Sequence, residues 1–397
     1  IDTITVPDYS TVVIKLKNAD AGFINNLASP LTLFEAKECV ETGAIKTISC
    51  GTGAFIIESY APNDHLYLKA NPKYFKKGKP YLDRIEEYFF ADAAAWIAAF
   101  RTGKMDEFTG YIWSQGNQLL QNPGYADTTV YVNEQNSGGP KFMAMRLNKA
   151  PYDDVRVRRA LAMAIDQKAI ITAAHEGNAR TSFSAVPSDW DGVGRDFPRT
   201  LDEGPEWFKY NPEKAKALLN EAGVDPKSLN VEIEYQGDVL RPPDDIAIIV
   251  QNFKAIGMNP TARGVDVTTA MADRFGRKWK DFILTGSFVA GSDLNQWLGL
   301  WCSTCAANVL GVTDPELDRL IIQARQEFDM TKSHELGKQI ADRVYDQVYM
   351  IWLPQGLFHH FVRPWVQQFT GNDVYYWAAM WGSSIVDEVW IDKSRMP

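Results

Sequence analysis

The alternation of apolar and polar positions divides the chain into short extended segments and amphipathic helices. In Lys141–Asp166 (KFMAMRLNKAPYDDVRVRRALAMAID), Met143, Met145 and Leu147 alternate with Ala144, Arg146 and Asn148, a two-residue period that suits a strand. Pro151 ends that run, and Asp153 or Asp154 can cap a helix by accepting backbone N–H bonds. Val157, Leu161, Ala164 and Ile165 then share one helical face. Arg156, Arg158 and Arg159 fall mostly off it and are expected in solvent or in ion pairs.

Upstream, Thr11–Lys17, AFIIESY (54–60), HLYLKA (65–70), Ile85–Phe90 and Thr128–Asn133 read as strands. A helix is expected from Asp92 to Gly103, and GYIWSQGN (110–117) reads as a Trp-bearing loop. Downstream, Asn211-Pro212-Glu213 opens a helix that ends at Gly223. Strand Val231–Tyr235, helix Asp244–Ile256, an extended segment to Val265, helix Thr268–Lys278 and strand Phe282–Ser287 follow in turn. This alternation predicts a parallel or mixed sheet covered by helices. Helices Pro315–Asp329 and Lys332–Tyr349 precede two extended, aromatic runs, Met350–Phe361 and Val374–Ile391.

Composition adds limits rather than a function. At 397 residues the chain suggests two or three domains. Its 45% hydrophobic and 23% charged residues are an ordinary globular balance, and the net charge of −9 argues against a nucleic acid partner. No apolar run reaches membrane-spanning length. The first residues, IDTITVPDYS, lack the basic start and apolar core of an export signal, and Thr11–Lys17 already reads as a strand in mid-domain. The expectation is therefore that the chain is trimmed or truncated upstream of Ile1.

Candidate chemistry is sparse. The four cysteines, Cys39, Cys50, Cys302 and Cys305, suit two disulfides or free buried thiols. Cys302 and Cys305 have the spacing of a redox pair or half a zinc site, but no second ligand pair accompanies them. Neither a metal nor a cofactor is expected. Catalytic motifs with a nucleophile elbow, a zinc helix or a phosphate loop are missing. Acidic pairs such as Glu86-Glu87 and Asp244-Asp245 read as surface residues, and Lys73, Lys76, Lys77 and Lys79 as a solvated loop. The aromatic content of segments read as loops stands out: Trp113, Trp190, Trp297, Trp301, Trp377 and Trp381 sit in or beside them, and indoles in concave sites stack on ligands.

Five passages, in order, carry a resemblance. They are Gly51-Thr52-Gly53-Ala54-Phe55 with HLYLKANPKYF and KGKPYLDRI; Phe100-Arg101-Thr102-Gly103-Lys104-Met105-Asp106; Leu147–Asp166; Asn211-Pro212-Glu213-Lys214-Ala215 with Leu218-Leu219 and Ala222-Gly223; and Arg363-Pro364-Trp365-Val366. Together they resemble the peptide/nickel-type (dipeptide- and oligopeptide-binding) solute-binding proteins of ABC importers. The resemblance implies an α/β, two-lobed periplasmic-binding-protein fold of the large class with an accessory subdomain, its lobes joined by two crossover strands. It divides the chain into a remnant of accessory subdomain or lobe I (1–48), lobe I (49–147), lobe II (148–356) and a return to lobe I (357–397). Leu147–Lys149 would start one crossing and Ile351–His359 carry the other.

The implied function is capture of a peptide or related solute between the lobes and its delivery to a membrane permease, outside the cytoplasm, by a periplasmic or cell-surface lipoprotein acting as a monomer. The ligand-binding residues expected by type and position are Trp113, Asn136, Phe288, Asp293, Trp297, Trp301, Asn308, Trp377 and Trp381. In the passage 286–298 the position that pairs with a peptide amine in the family is Ala290 or Gly291, which leaves an oligosaccharide as the alternative ligand. A redox enzyme using Cys302 and Cys305 is the reading from another class.

Overall fold

The computed structural model describes residues 1–27, 35–44, 49–90, 92–110, 113–122, 127–132, 141–181, 183, 200–237, 244–286, 294–357, 359–368 and 386–396. The chain begins with a hairpin, β1 (Thr3–Asp8) and β2 (Thr11–Lys15), and two short helices, α1 (Phe23–Leu27) and α2 (Lys37–Thr42). An antiparallel sheet follows, of β3 (Phe55–Ala61), β4 (His65–Ala70) and β5 (Arg84–Tyr88). Next come α3 (Ala93–Arg101), β6 (Glu107–Gly110), α4 (Trp113–Leu120) and β7 (Thr129–Val132).

Beyond these lie β8 (Lys141–Met145), α5 (Val155–Met163), α6 (Gln167–Ala169), which continues into a π-turn over Ile170–Ala174, and β9 (Ala179–Arg180). The α/β run is α7 (Pro212–Glu221), β10 (Asn230–Gln236), α8 (Asp244–Ala255), β11 (Asn259–Val265), α9 (Val267–Gly276) and β12 (Phe282–Gly286). Helices α10 (Leu294–Trp301), α11 (Pro315–Gln326) and α12 (Met330–Gln347) lead to β13 (Met350–Leu353), β14 (Gln355–Gly356), β15 (His359–Val362), β16 (Val366–Gln367) and β17 (Trp390–Ile391).

One lobe is organised on the sheet β11-β10-β12-β8-β13. Strands β10 to β13 all point one way and β8 alone runs against them, so the sheet is mixed. Phe142, Met143, Ala144 and Met145 are all buried, as a strand in the middle of a covered sheet must be. The α5 face read from the sequence is the face that packs: Val157, Leu161, Ala164 and Ile165 are wholly buried. Each such Leu or Ile contributes about 1.5–3 kcal/mol by leaving water. Asp154 caps α5, accepting from the Arg156 N–H at 2.8 Å.

Arg158 departs from its expected solvent position. It is buried, and its guanidinium donates to the carbonyls of Gln347 (2.8 Å), Tyr152 (3.0 Å) and Asp153 (2.9 Å). It thereby satisfies acceptors left open at the end of α12 and at the turn before α5. Arg156 pairs with Asp154, and Arg159 pairs with Asp346 and stacks on Trp207.

The other lobe holds β3-β4-β5, the sheet β6-β15-β7 and the pair β16-β17. Its small core consists of Phe100, Phe108, Leu119 and Phe361, with the Phe rings 5.5–6.0 Å apart. The basic loop after β4 is not simply solvated. Lys76 pairs with buried Asp387 at 2.9 Å and Lys79 with Glu388 at 2.7 Å, which ties the loop to the C-terminal segment.

The first crossing also lies elsewhere than expected. β8 already belongs to the second sheet, so the chain has entered that lobe by Lys141 rather than at Leu147–Lys149. The return runs between Leu353, still in that sheet, and His359, which pairs with β6 and β7. Both cysteine pairs are disulfides, Cys39–Cys50 and Cys302–Cys305. Among the described residues, no helix is long and apolar enough to cross a membrane.

Candidate functional site

The strand directions bring one edge of each sheet to the crossings. Gln236, Val265, Gly286 and Leu353 end their parallel strands on the same edge, where Lys141 begins β8 in register with Gly286 and Leu353. Open α/β sheets bind ligands outside this carboxyl edge. In the other lobe, Gly110, Val132 and His359 lie side by side at the ends of β6, β7 and β15. Val132 leads to Lys141 and Leu353 to His359, so the crossings join these two edges.

On the first-lobe edge, the indole of Trp113 lies 4.1 Å from the ring of His359. Helix α4 sits so close to β15 that a Cβ on Gly116 would fall 2.2 Å from His359 Nδ1. The neighbouring His360 shares a 2.8 Å hydrogen bond between Nδ1 and Thr109 Oγ1, and burial pushes its imidazole down to about 4. Burial also lowers His359.

On the second-lobe edge, the Lys141 ammonium donates to Asp245 in the first turn of α8, and His175 Nε2 lies 3.5 Å from the other oxygen of that carboxylate. Asp245 is 1% exposed, which corrects its reading as a surface residue. Burial opposes its ionised form, but Lys141 and His175 outweigh burial and hold the carboxyl well below the ordinary range. Arg274 reaches Thr285 Oγ1 at 3.1 Å, with its guanidinium 6.0 Å from the Phe142 ring, and burial lowers it to about 10.

The residues expected from the sequence divide into three groups. Trp113 stands at the first-lobe edge, on a helix rather than the expected loop. Asn136, Phe288, Asp293, Trp377 and Trp381 lie outside the described residues, as does Trp190.

Trp297, Trp301 and Asn308 form the third group, and the structure places them within the second lobe. Leu294, Trp297, Leu298 and Trp301 form the buried stripe of α10, and Trp301 packs 6.5 Å from Trp352. These tryptophans therefore sit on a helix, not in a loop. Asn308 accepts from the N–H groups of Gly311 and Val312, both at 3.0 Å, and donates to the Val312 carbonyl at 2.8 Å. Its amide is spent on closing a turn. Nothing in the sequence marks Lys141, His175 or His359 as site residues, and Asp245 reads there as a surface residue, because their partners lie far away along the chain.

The model of the family described as "Bacterial extracellular solute-binding proteins, family 5 Middle" matches residues 1–308. A relative from Brucella ovis is 28% identical over 280 residues, covering 68% of this chain and 50% of the relative. The chain thus spans about half the length of the first curated relatives it matches. Di/tripeptide-binding protein 1 of Pseudomonas aeruginosa is 25% identical over 364 residues, 86% of this chain and 63% of that protein. Among solved structures, the periplasmic binding protein AgaA of A. tumefaciens R10, in complex with agropinic acid, superimposes with a TM-score of 0.84 at 21% identity. That superposition covers 99% of this chain and 78% of that one.

Proposed function

The chain belongs to the bacterial extracellular solute-binding proteins, family 5, and from that premise we propose that it binds a peptide or related solute in the cleft between its two lobes. The solute is handed to the membrane permease of an ABC importer, outside the cytoplasm, by a chain acting as a monomer. The family match over residues 1–308 is the observation that carries this reading. The two sheet edges joined by both crossings support it. So does the peptide-binding relative from Pseudomonas aeruginosa, although what that protein binds is a property of that protein.

No bond is made or broken. The solute binds the closed arrangement of the lobes better than the open one, and that difference in affinity drives closure. Trp113 supplies an aromatic wall from the first lobe. The carboxyl edge from Lys141 to Leu353 supplies the opposite wall. The Cys302–Cys305 disulfide joins the end of α10 to the turn before α11, with the Arg325 guanidinium 3.3 Å from Cys305 Sγ. Its role in this reading is to hold that loop.

A thermal-shift screen of di- to pentapeptides and of oligosaccharides tests the proposal. A solute that binds only the folded chain adds about 2.7 kcal/mol at a hundred times its Kd. Peptides are expected to raise the melting temperature by several degrees. A rise with oligosaccharides and none with peptides would overturn the peptide reading in favour of a sugar.

A further inference from the structure

Lys141 is the first residue of β8 and stands between Gly286 and Leu353 on the carboxyl edge. Its side chain is 27% exposed, while that of its partner Asp245 is 1% exposed. The carboxylate is held from behind by His175, which backs onto the return crossing: a Cβ on Gly356 would meet His175 Nδ1 at 2.6 Å. The ammonium is therefore fixed in place and its charge is balanced. An ammonium has three donors, and Asp245 takes one of them. On β12, the residue directly opposite is Gly286, which has no side chain to cover the others.

A buried ion pair that served packing alone would do so at a cost, since apolar side chains of similar volume stabilise as well or better. Here one member is sealed and the other stays partly open, at the sheet edge where α/β folds bind ligands.

We propose that Lys141 contacts the solute directly, donating from its Asp245-anchored ammonium to a neutral acceptor, a peptide-bond carbonyl. This rests on the peptide reading above and sharpens it. Because Asp245 already balances the charge, the contact asks for an acceptor and not for an anion. Lys141 then grips the peptide backbone without selecting side-chain charge or a free carboxyl end.

The experiment uses calorimetric titration of a peptide that raises the melting temperature of the wild-type chain. If no peptide binds the wild type, the functional reading has failed and Lys141 is not at issue. Given a binder, K141M and the double variant K141M/D245N are titrated; the double variant leaves no unbalanced carboxylate behind. Both are expected to lose about tenfold or more in affinity, the range for a hydrogen bond from a charged donor. The loss should be the same for the free-acid and C-terminally amidated forms of the peptide.

Wild-type affinity in the folded double variant would overturn the proposal. So would a loss confined to the free acid, which would make the acceptor a carboxylate. Should the variants not fold, acetylation of wild-type Lys141 by acetic anhydride, read by mass spectrometry, decides the matter. Bound peptide is expected to slow that modification at least severalfold, and an unchanged rate would refute the contact.

Discussion

Gly116 offers a sharp test of how the first-lobe edge is assembled. Replacing Gly by Ala inside a helix ordinarily stabilises by about 1 kcal/mol. On α4 the structure reverses that sign. The new Cβ would lie 2.2 Å from His359 Nδ1, 2.7 Å from Cγ and 3.1 Å from Cβ, against a contact distance of about 3.5–4.0 Å. Relief requires the imidazole to move by more than about 1 Å. It cannot swing away, because it is 2% exposed, with Trp113 centred 4.1 Å to one side and Phe361 at 5.8 Å. Overpacking of this kind costs about 1–3 kcal/mol, so after the helix-propensity gain the net effect of G116A is a destabilisation of up to about 2 kcal/mol. Urea unfolding followed by circular dichroism measures it. The same substitution in an H359A background removes the clash and should become stabilising, which makes the coupling visible as a double-mutant cycle. G116A more stable than wild type in the presence of His359 would refute the packing described for α4 and β15.

Three further outcomes follow from the geometry. His360 titrates at about 4 when folded against about 6.5 unfolded, so the unfolded chain takes up its proton first. Its contribution is complete above pH 6.5 and is lost as pH falls towards 4. Between pH 7 and pH 5 the wild type should lose about 2 kcal/mol more than H360Q in urea titrations, and equal losses would refute the assignment. At Asp314, burial alone would raise the carboxyl, but Arg343 at 2.6 and 2.8 Å and the Tyr349 hydroxyl hold it low. That stability is present above about pH 4 and is lost as pH falls through the lowered value, so D314N should cost about 3 kcal/mol at pH 7 and show a flatter acid limb of the melting profile. N308A leaves the N–H groups of Gly311 and Val312 without their acceptor and should cost about 2–4 kcal/mol, with peptide affinity unchanged in the folded protein. A selective loss of affinity would return Asn308 to the ligand site.

Where the sequence could be read, the cause was periodicity. The α5 stripe and the βαβαβ run declare themselves within windows of a dozen residues, because burial on a sheet selects every third or fourth side chain. The stripe of α10 is equally present as Leu294, Trp297, Leu298 and Trp301, but tryptophans at such density read as a ligand loop. Helix α4 was hidden for another reason. Gly116, with Ser114 and Asn117, carries a loop-like composition, yet the glycine serves close contact with His359, some 240 residues later. Buried ion pairs escape local reading in the same way. Asp245 looks like half of a surface acidic pair until Lys141 is placed beside it, and Lys76 looks solvated until Asp387 is found. The family passage Leu147–Asp166 identifies the chain, yet its anchor lies away from the carboxyl edge. Its Lys149 and Tyr152 bind Asp281 at 2.6 and 3.3 Å, at the opposite end of β12 from Gly286.

The central claim is that peptides close the two lobes on one another. Small-angle X-ray scattering of the chain, with and without a saturating peptide from the thermal-shift screen, tests it directly. The account predicts a smaller radius of gyration in the bound state, with one peptide per chain in a parallel titration. A peptide that binds with that stoichiometry and leaves the scattering profile unchanged would contradict closure as the mechanism.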